Sequence, residues 1–234
     1  MNSKTKLALA MGVGAAFAFG VTAGAQAANV KRGGVLNLVV GSKIPSFDGH
    51  KESTFGMIHP IRPFYSLLMR VDPNNPQSPT AFQCDVCEGD IPKPTNNGKR
   101  YTFKLKKNVS FHDGQKMTSK DVLATHNKLI FPEKGVASVR KGFFGMVEKI
   151  SAPDDYTIVF DLKYASPGFL PALATPFNFV YSKADLDKHG MAWHQKNING
   201  TGAFAFVQHQ PGAFVEGKRM ADAQWSATIV DKNN

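Results

Sequence analysis

The run Tyr101-Thr-Phe-Lys-Leu-Lys-Lys-Asn-Val-Ser-Phe-His-Asp-Gly114 restricts the fold more than any other stretch of the chain. Tyr101, Phe103 and Leu105 alternate with Thr102, Lys104 and Lys106, which makes one face of an extended segment apolar and the other polar, the pattern of a half-buried strand. Lys107-Asn108 turns the chain, Val109 and Phe111 resume the alternation as a second strand, and His112-Asp113-Gly114 closes it with residues suited to turns. Thr118-Ser-Lys-Asp121 then has the spacing of a capping box. It opens a helix with Val122, His126, Leu129 and Ile130 on one face and Pro132 as its stop. By alternation alone this is a β-hairpin feeding a helix.

The amino terminus is of a different character. Lys4 and Lys6 precede an apolar run from Leu7 to Val21, and Ala25-Gln26-Ala27 is a small-x-small cleavage pattern. These are the three parts of a secretory signal peptide, so residues 1–27 are expected to be removed and the mature chain to begin at Ala28. Glycines 12, 14 and 20 break the run and argue against a membrane anchor. Losing Lys4 and Lys6 takes the formal charge from +10 to +8. The remaining basic residues do not cluster, and no stacking aromatics accompany them, so nucleic acid is not an expected partner.

Cys84 and Cys87 are the only cysteines, spaced C-x-x-C. Export to an oxidising compartment makes a short disulfide the first reading, contributing about 2 kcal/mol through loop-closure entropy. A zinc site would need two further ligands, and haem attachment would need His where Glu88 stands. Redox catalysis would want the motif at a helix start in a thioredoxin-like unit, whereas Asp90 and Pro92 follow here.

Further elements follow from pattern. Val35-Leu-Asn-Leu-Val-Val40 is a nearly continuous apolar run, as in a strand buried on both faces. From Phe55 to Arg70 the apolar spacing fits a helical face, either starting near Pro63 or kinked by Pro60 and Pro63. Ala81 to Asn97 is loop-like, and Val139 to Ile150 is a candidate weak helix interrupted by Gly142 and Gly145. Tyr156 to Lys163 alternates as a strand after the Pro153-Asp154-Asp155 turn, where adjacent carboxylates serve the turn and not acid–base work. Phe169 to Ala174 and Lys183 to His189 are short helices, the second capped by Ser182 and closed by Gly190. Phe179-Val180-Tyr181 is a short strand, and Ala203 to Lys218 a hairpin turning at Pro211-Gly212.

Several of these segments resemble the bacterial extracellular solute-binding proteins of family 5, the peptide and nickel class. The opening run is similar to the family's "YTFxLRxxVxFHDG" followed by "T/S-A-x-D-V". Residues 152–163, APDDYTIVFDLK, resemble "D-x-Y-T-V-x-F-x-L", and residues 200–207, GTGAFAFV, resemble "G-T-G-P-Y/F-x-F/L-x" with Ala203 in place of Pro. The loop Ser42 to Ser53 is close to "P-x-S-L-D-P-H", with Gly49 standing where that pattern has Pro. The resemblance implies an α/β, periplasmic-binding-protein-like fold (type II, cluster C): a first lobe with an inserted α+β subdomain. Residues 28–75 and 190–234 would form the first-lobe core sheet, and 76–189 the subdomain. Since the resemblance reaches only the family's amino-terminal half, the second lobe is expected to be missing, and binding by this chain alone to be weak or nil.

The function so implied is the periplasmic solute-binding component of an ABC importer, a monomer that captures a peptide or similar small solute for an inner-membrane ABC permease. It needs no cofactor and no metal. By position in the family, Glu52, Ser53 and Thr54 would contact ligand, with Phe55 as an apolar wall, and Thr201 and Gly202 would line the cleft near the crossover between lobes. Two other classes compete with it. A secreted hydrolase lacks G-x-S-x-G, H-E-x-x-H or a matched carboxylate pair. Nickel or metal-chelate capture would draw on scattered histidines, of which His189 and His194, five apart, do not share a helical face.

Overall fold

A strand with one apolar face needs a partner and a covering layer, and in the computed structural model, which describes residues 33–221, both come from later in the chain. In chain order the elements are α1 (Phe55–Ile61), β1 (Met69–Val71), β2 (Phe82–Cys84), β3 (Arg100–Lys104), α2 (Ser119–Ile130), β4 (Val147–Asp154), β5 (Thr157–Leu162), α3 (Phe169–Leu173), α4 (Lys183–His189), β6 (Phe204–Gln210) and β7 (Phe214–Arg219). Short 3₁₀ turns lie at Arg62–Phe64, Lys141–Phe144 and Trp193–Gln195.

β5 is the centre of a three-stranded antiparallel sheet, order β3-β5-β4. Tyr101 stands opposite Phe160 and Phe103 opposite Ile158. Phe103, Ile158 and Phe160 are fully enclosed, and each such side chain contributes roughly 1.5–3 kcal/mol of hydrophobic stabilisation. α2 supplies the cover with Val122, Leu129 and Ile130, and its His126 ring meets Phe160 edge-on at 5.2 Å. The helix starts where expected: Thr118 and Asp121 form the capping box, the Thr118 N–H donating to the Asp121 carboxylate at 2.8 Å. At the β4–β5 turn, Asp154 accepts from the Tyr156 N–H at 2.9 Å and the Thr157 hydroxyl at 2.7 Å, the turn role expected of it.

A second core gathers Phe47, Met57, Ile58, Ile61, Phe64, Tyr65, Leu67, Phe179, Tyr181 and Leu186. The two cores share their walls residue by residue. Leu67 belongs to this one and Leu68 and Met69 to the first, while Phe179 and Tyr181 flank Val180, which points into the first. At Phe179–Tyr181 that is the two-residue repeat of extended chain, used between cores instead of between core and solvent. The described residues from Val35 onward form one compact unit.

Several sequence expectations are corrected. Val35–Val40 is not a strand: among the described residues it pairs with nothing, and Val35 and Val39 are 87% and 99% exposed. Continuous apolarity requires cover on both faces, and no described segment supplies it. β6 and β7 accordingly form a two-stranded ladder of their own. Val109 and Phe111 are buried, but they do not pair with β3; they sit in a local turn with Phe111 bonded to Gln115 and Met117 to Val109. Alternation reports which side is covered, not which strand is the neighbour. Val139 to Ile150 is no helix: after one 3₁₀ turn, Val147 begins β4. The helix of the Phe55 to Arg70 stretch does not start at Pro63, which lies in the 3₁₀ turn Arg62–Phe64 that follows it. The helix holds Pro60 in the last turn and ends at Ile61, and Met69 already belongs to β1. The loop-like region contains β2. Phe179–Tyr181 is extended but outside any ladder, Val180 donating to the Ser66 carbonyl at 3.0 Å. The expected signal peptide, residues 1–27, lies outside the described residues.

Candidate functional site

The loop Ser46–Phe55 has a buried base and an exposed tip. At the base the Asp48 carboxylate takes the Lys128 ammonium at 2.8 Å, both side chains being 3% exposed or less. Asp48 also accepts from the Tyr181 hydroxyl and the His50 N–H, each at 2.9 Å. Burial alone would raise this carboxyl; the Lys128 charge, with the bonds from Lys128 and Tyr181, outweighs it and holds it below the usual carboxylate range. Burial lowers Lys128 in turn, against the opposing pull of Asp48. A buried pair of this kind needs further partners: Asp48 has the Tyr181 hydroxyl and the His50 N–H, and the Lys128 ammonium lies 5.0 Å over the Tyr181 ring.

Around the pair lies an aromatic and imidazole layer. His194 stacks on Tyr181 with centroids 4.0 Å apart, and Tyr65 stacks on Phe179 at 4.5 Å. The His50 ring reaches the Phe179 carbonyl at 3.1 Å. Burial depresses all three histidines of this region and the neighbouring core: His50 well below its ordinary value, His194 to about 3 and His126 to about 4. They are neutral imidazoles at physiological pH, packed as aromatics, and His50 Nδ1, His126 Nε2 and His194 Nε2 have no hydrogen-bond partner among the described residues.

Arg140 clamps the middle of the loop. Its guanidinium donates to the carbonyls of Gly49 and Glu52, both at 2.7 Å, and stacks 4.0 Å above the Phe177 ring. Burial lowers its pKa to about 10, so the charge persists at neutral pH. Gly49 fits where the related pattern has Pro: a Cβ there would lie 2.4 Å from the Phe177 carbonyl oxygen, and its N–H, which proline lacks, donates to the Tyr181 hydroxyl at 2.9 Å.

The tip carries the four residues singled out by position. Glu52 is mostly covered, its side chain 14% exposed, and accepts from the Ser46 hydroxyl at 2.6 Å with Lys51 3.9 Å away. Ser53, Thr54 and Phe55 are exposed, Phe55 at 75%. Thr54 is the N-cap of α1, but only its carbonyl serves the helix; its hydroxyl makes no capping bond. Phe55 lies against the His59 ring at 5.3 Å. The tip thus offers two hydroxyls and an aromatic surface, held still from beneath.

Thr201 and Gly202 stand elsewhere, buried under the turn that follows α1. The Gly202 N–H donates to the Phe64 carbonyl at 3.0 Å, and the Thr201 carbonyl accepts from the Ser66 hydroxyl at 3.0 Å. A Cβ at Gly202 would meet the Pro63 oxygen at 2.3 Å, so close backbone packing requires glycine here. His112 joins this turn to the opening motif, its N–H donating to the Gly200 carbonyl at 2.9 Å. α1 spans about 10 Å, and the two groups of candidate residues lie at its opposite ends.

Asp48, Lys128, Arg140 and Tyr181 were not singled out from the sequence. Asp48 sits inside the quoted loop motif and was the one detectable signal. Arg140 binds carbonyls, which leave no trace in side-chain pattern. Cys84 and Cys87 form the expected disulfide, with Cα atoms 4.8 Å apart. Among the described residues no group of three or more His, Cys, Asp or Glu side chains is placed to hold a metal ion.

Family model and superpositions place this mixed α/β fold in the periplasmic-binding-protein class. The chain superposes on MoaA of A. tumefaciens R10, solved with mannopinic acid, with a TM-score of 0.68 and 21% identity over 79% of this chain and 36% of that one. It superposes on a dipeptide-binding protein of Pseudoalteromonas sp. SM9913, solved with Met-Leu, with a TM-score of 0.67 and 24% identity over 78% and 39%. The chain belongs to the bacterial extracellular solute-binding proteins, family 5, whose model, described as "family 5 Middle", matches residues 88–232, more than half of the sequence. A curated relative is the oligopeptide-binding protein AppA of Bacillus subtilis, 27% identical over 161 residues. That match takes in 60% of this chain and 28% of AppA, so the chain spans little more than a quarter of that relative's length.

Proposed function

We propose that this chain is part of the periplasmic solute-binding component of an ABC importer, taking a peptide or similar small solute through the exposed tip Ser53–Phe55 and handing it to an inner-membrane permease without chemistry. The carrying observation is the contrast within the loop: a base fixed by Asp48–Lys128 and Arg140, and a tip whose hydroxyls and aromatic ring face solvent. A prearranged contact surface loses little freedom on binding, which favours affinity. Family membership and the ligands named for AppA and for the Pseudoalteromonas protein support a peptide. Residues 1–27 direct export, and the Cys84–Cys87 disulfide fits an oxidising compartment. Glu52 acts from beneath the tip by holding Ser46. Thr201 and Gly202 shape the crossover through the Phe64 turn. The protein acts as a monomer, and the proposed lobe core (28–75 and 190–234) and inserted subdomain (76–189) share walls at Leu67–Met69 and Phe179–Tyr181.

The test is amide NMR of the isotopically labelled mature chain titrated with trialanine and with Met-Leu. Shifts confined to Glu52–Phe55 and the start of α1 are expected, with weak affinity. Shifts elsewhere, or none with either peptide at millimolar concentration, refute the assignment. Hydrolysis of a chromogenic ester in parallel would move the protein to the hydrolase class.

A further inference from the structure

The Cys84–Cys87 disulfide takes no part in the loop tip, yet it stands where β1, β2 and the end of α1 meet. Asp85 and Val86, the two residues it encloses, are both buried. Asp85 is a junction. One carboxylate oxygen accepts from the Leu67 N–H at 2.8 Å and from Arg62 at 3.2 Å, and the other lies 3.7 Å from Arg70. Its carbonyl accepts from the Lys106 ammonium at 2.7 Å. The backbone of the enclosed loop adds three bonds: Asp85 and Cys87 to the Leu68 carbonyl at 3.2 and 3.1 Å, and Val86 to the Leu67 carbonyl at 3.0 Å. Arg62 is the C-cap of α1, its N–H donating to the Ile58 carbonyl and its guanidinium to that of Tyr65.

The two cysteine residues differ in burial. Cys87 is fully buried, whereas Cys84, at the end of β2, is only partly covered. Thiol–disulfide exchange needs an approachable sulfur, and Cys84 is the less buried residue of the pair. We propose that Cys84–Cys87 is a reversible redox site, opened at Cys84 by a dithiol, and that opening it releases the Asp85 junction from the end of α1.

In that step a thiolate of the dithiol attacks Cys84 Sγ. A mixed disulfide forms and Cys87 leaves as a thiolate, which takes a proton from solvent. The second thiol of the reductant then attacks its own partner sulfur, expelling Cys84. The protein gains two electrons and two protons, and the dithiol becomes a disulfide. With the ring open, the Asp85 loop regains conformational freedom, and the bonds to Leu67, Leu68 and Arg62 no longer share one fixed frame. α1 begins at Phe55, so the far end of the same helix carries the exposed tip; this link alone rests on the ligand-binding reading above.

Native-state hydrogen exchange on the mature chain, with and without dithiothreitol at neutral pH, tests the site with no ligand present. Reduction without denaturant is expected, with amides of Leu67, Val86 and Cys87 exchanging about tenfold faster or more while Phe103 and Ile158 stay protected. The double variant Cys84→Ser/Cys87→Ser should reproduce the reduced pattern without reductant. A bridge that resists reduction until the protein unfolds, a uniform loss of protection that includes β3 and β5, or a double variant that matches the oxidised protein would each overturn the proposal. None of these outcomes bears on whether peptides bind the tip.

Discussion

Replacing Lys128 by Met removes the cation from a site with no access to water while keeping most of the side chain's volume. The Asp48 carboxylate then stays buried with only the Tyr181 hydroxyl and the His50 N–H as partners. Breaking a buried pair from one side costs about 3–5 kcal/mol, because the remaining charge is uncompensated. Against a total stability of about 5–15 kcal/mol for a domain, that is a large share. Urea denaturation followed by far-UV circular dichroism should show the midpoint falling with little change in slope. The double variant Asp48→Asn/Lys128→Met should recover much of the loss, since no bare charge is left. The single variant should also respond differently to pH. In the native protein Asp48 has a lowered pKa, so its contribution is present above the unfolded carboxylate value and lost as pH falls through the folded one. Without Lys128 that protection weakens, and acid restores stability relative to neutral pH by neutralising the buried carboxylate. A loss under about 1 kcal/mol, or a double variant no better than the single, would refute the view that the pair anchors the loop.

Other outcomes are expected. Gly49→Ala should destabilise the protein by about 1–3 kcal/mol, since the new methyl meets the Phe177 carbonyl oxygen and the Phe179 ring; calorimetry will read it. Arg140→Lys should leave two buried carbonyls poorly satisfied and cost about 1–3 kcal/mol in urea melts, with faster exchange at Lys51 and Glu52. Between pH 6.5 and about 4, stability should fall with acid, because buried His126 and His194 stay neutral while their unfolded counterparts, near 6.5, take up protons. Each such histidine contributes about 1.4 kcal/mol per pH unit in that window. A flat stability profile there would remove the basis for neutral packed imidazoles. Thr118→Ala should cost about 1 kcal/mol through loss of the α2 cap, measured by thermal melting.

The sequence disclosed those elements whose cause is local. The α2 cap, the Gly190 stop of α4 and the alternation of β3 and β5 all lie in short windows, and each appears where its pattern put it. Pairing is not local. Val109–Phe111 looks like the partner of β3, but Ile158 and Phe160 outcompete it with a longer ladder that α2 covers. β4 stayed hidden because Gly142 and Gly145 blurred its start and its Val147 and Ile150 are not two apart. Val35–Val40 shows the reverse error: hydropathy states that a segment can be buried, not that a cover is present. At the candidate site the exposed tip followed from position in a family pattern. Its base did not, since Asp48 finds Lys128 in α2, far along the chain, and Arg140 grips backbone atoms that every residue possesses.

The shared wall between the two cores makes the chain intolerant of a shift in phase. Inserting one residue just before Phe179 would send each side chain of Phe179–Tyr181 to the opposite interior, placing a tyrosine hydroxyl in the apolar layer of the sheet and removing it from Asp48. Because the same short segments line both interiors, global unfolding of the sheet and of the Ser46–Phe55 loop should be one transition.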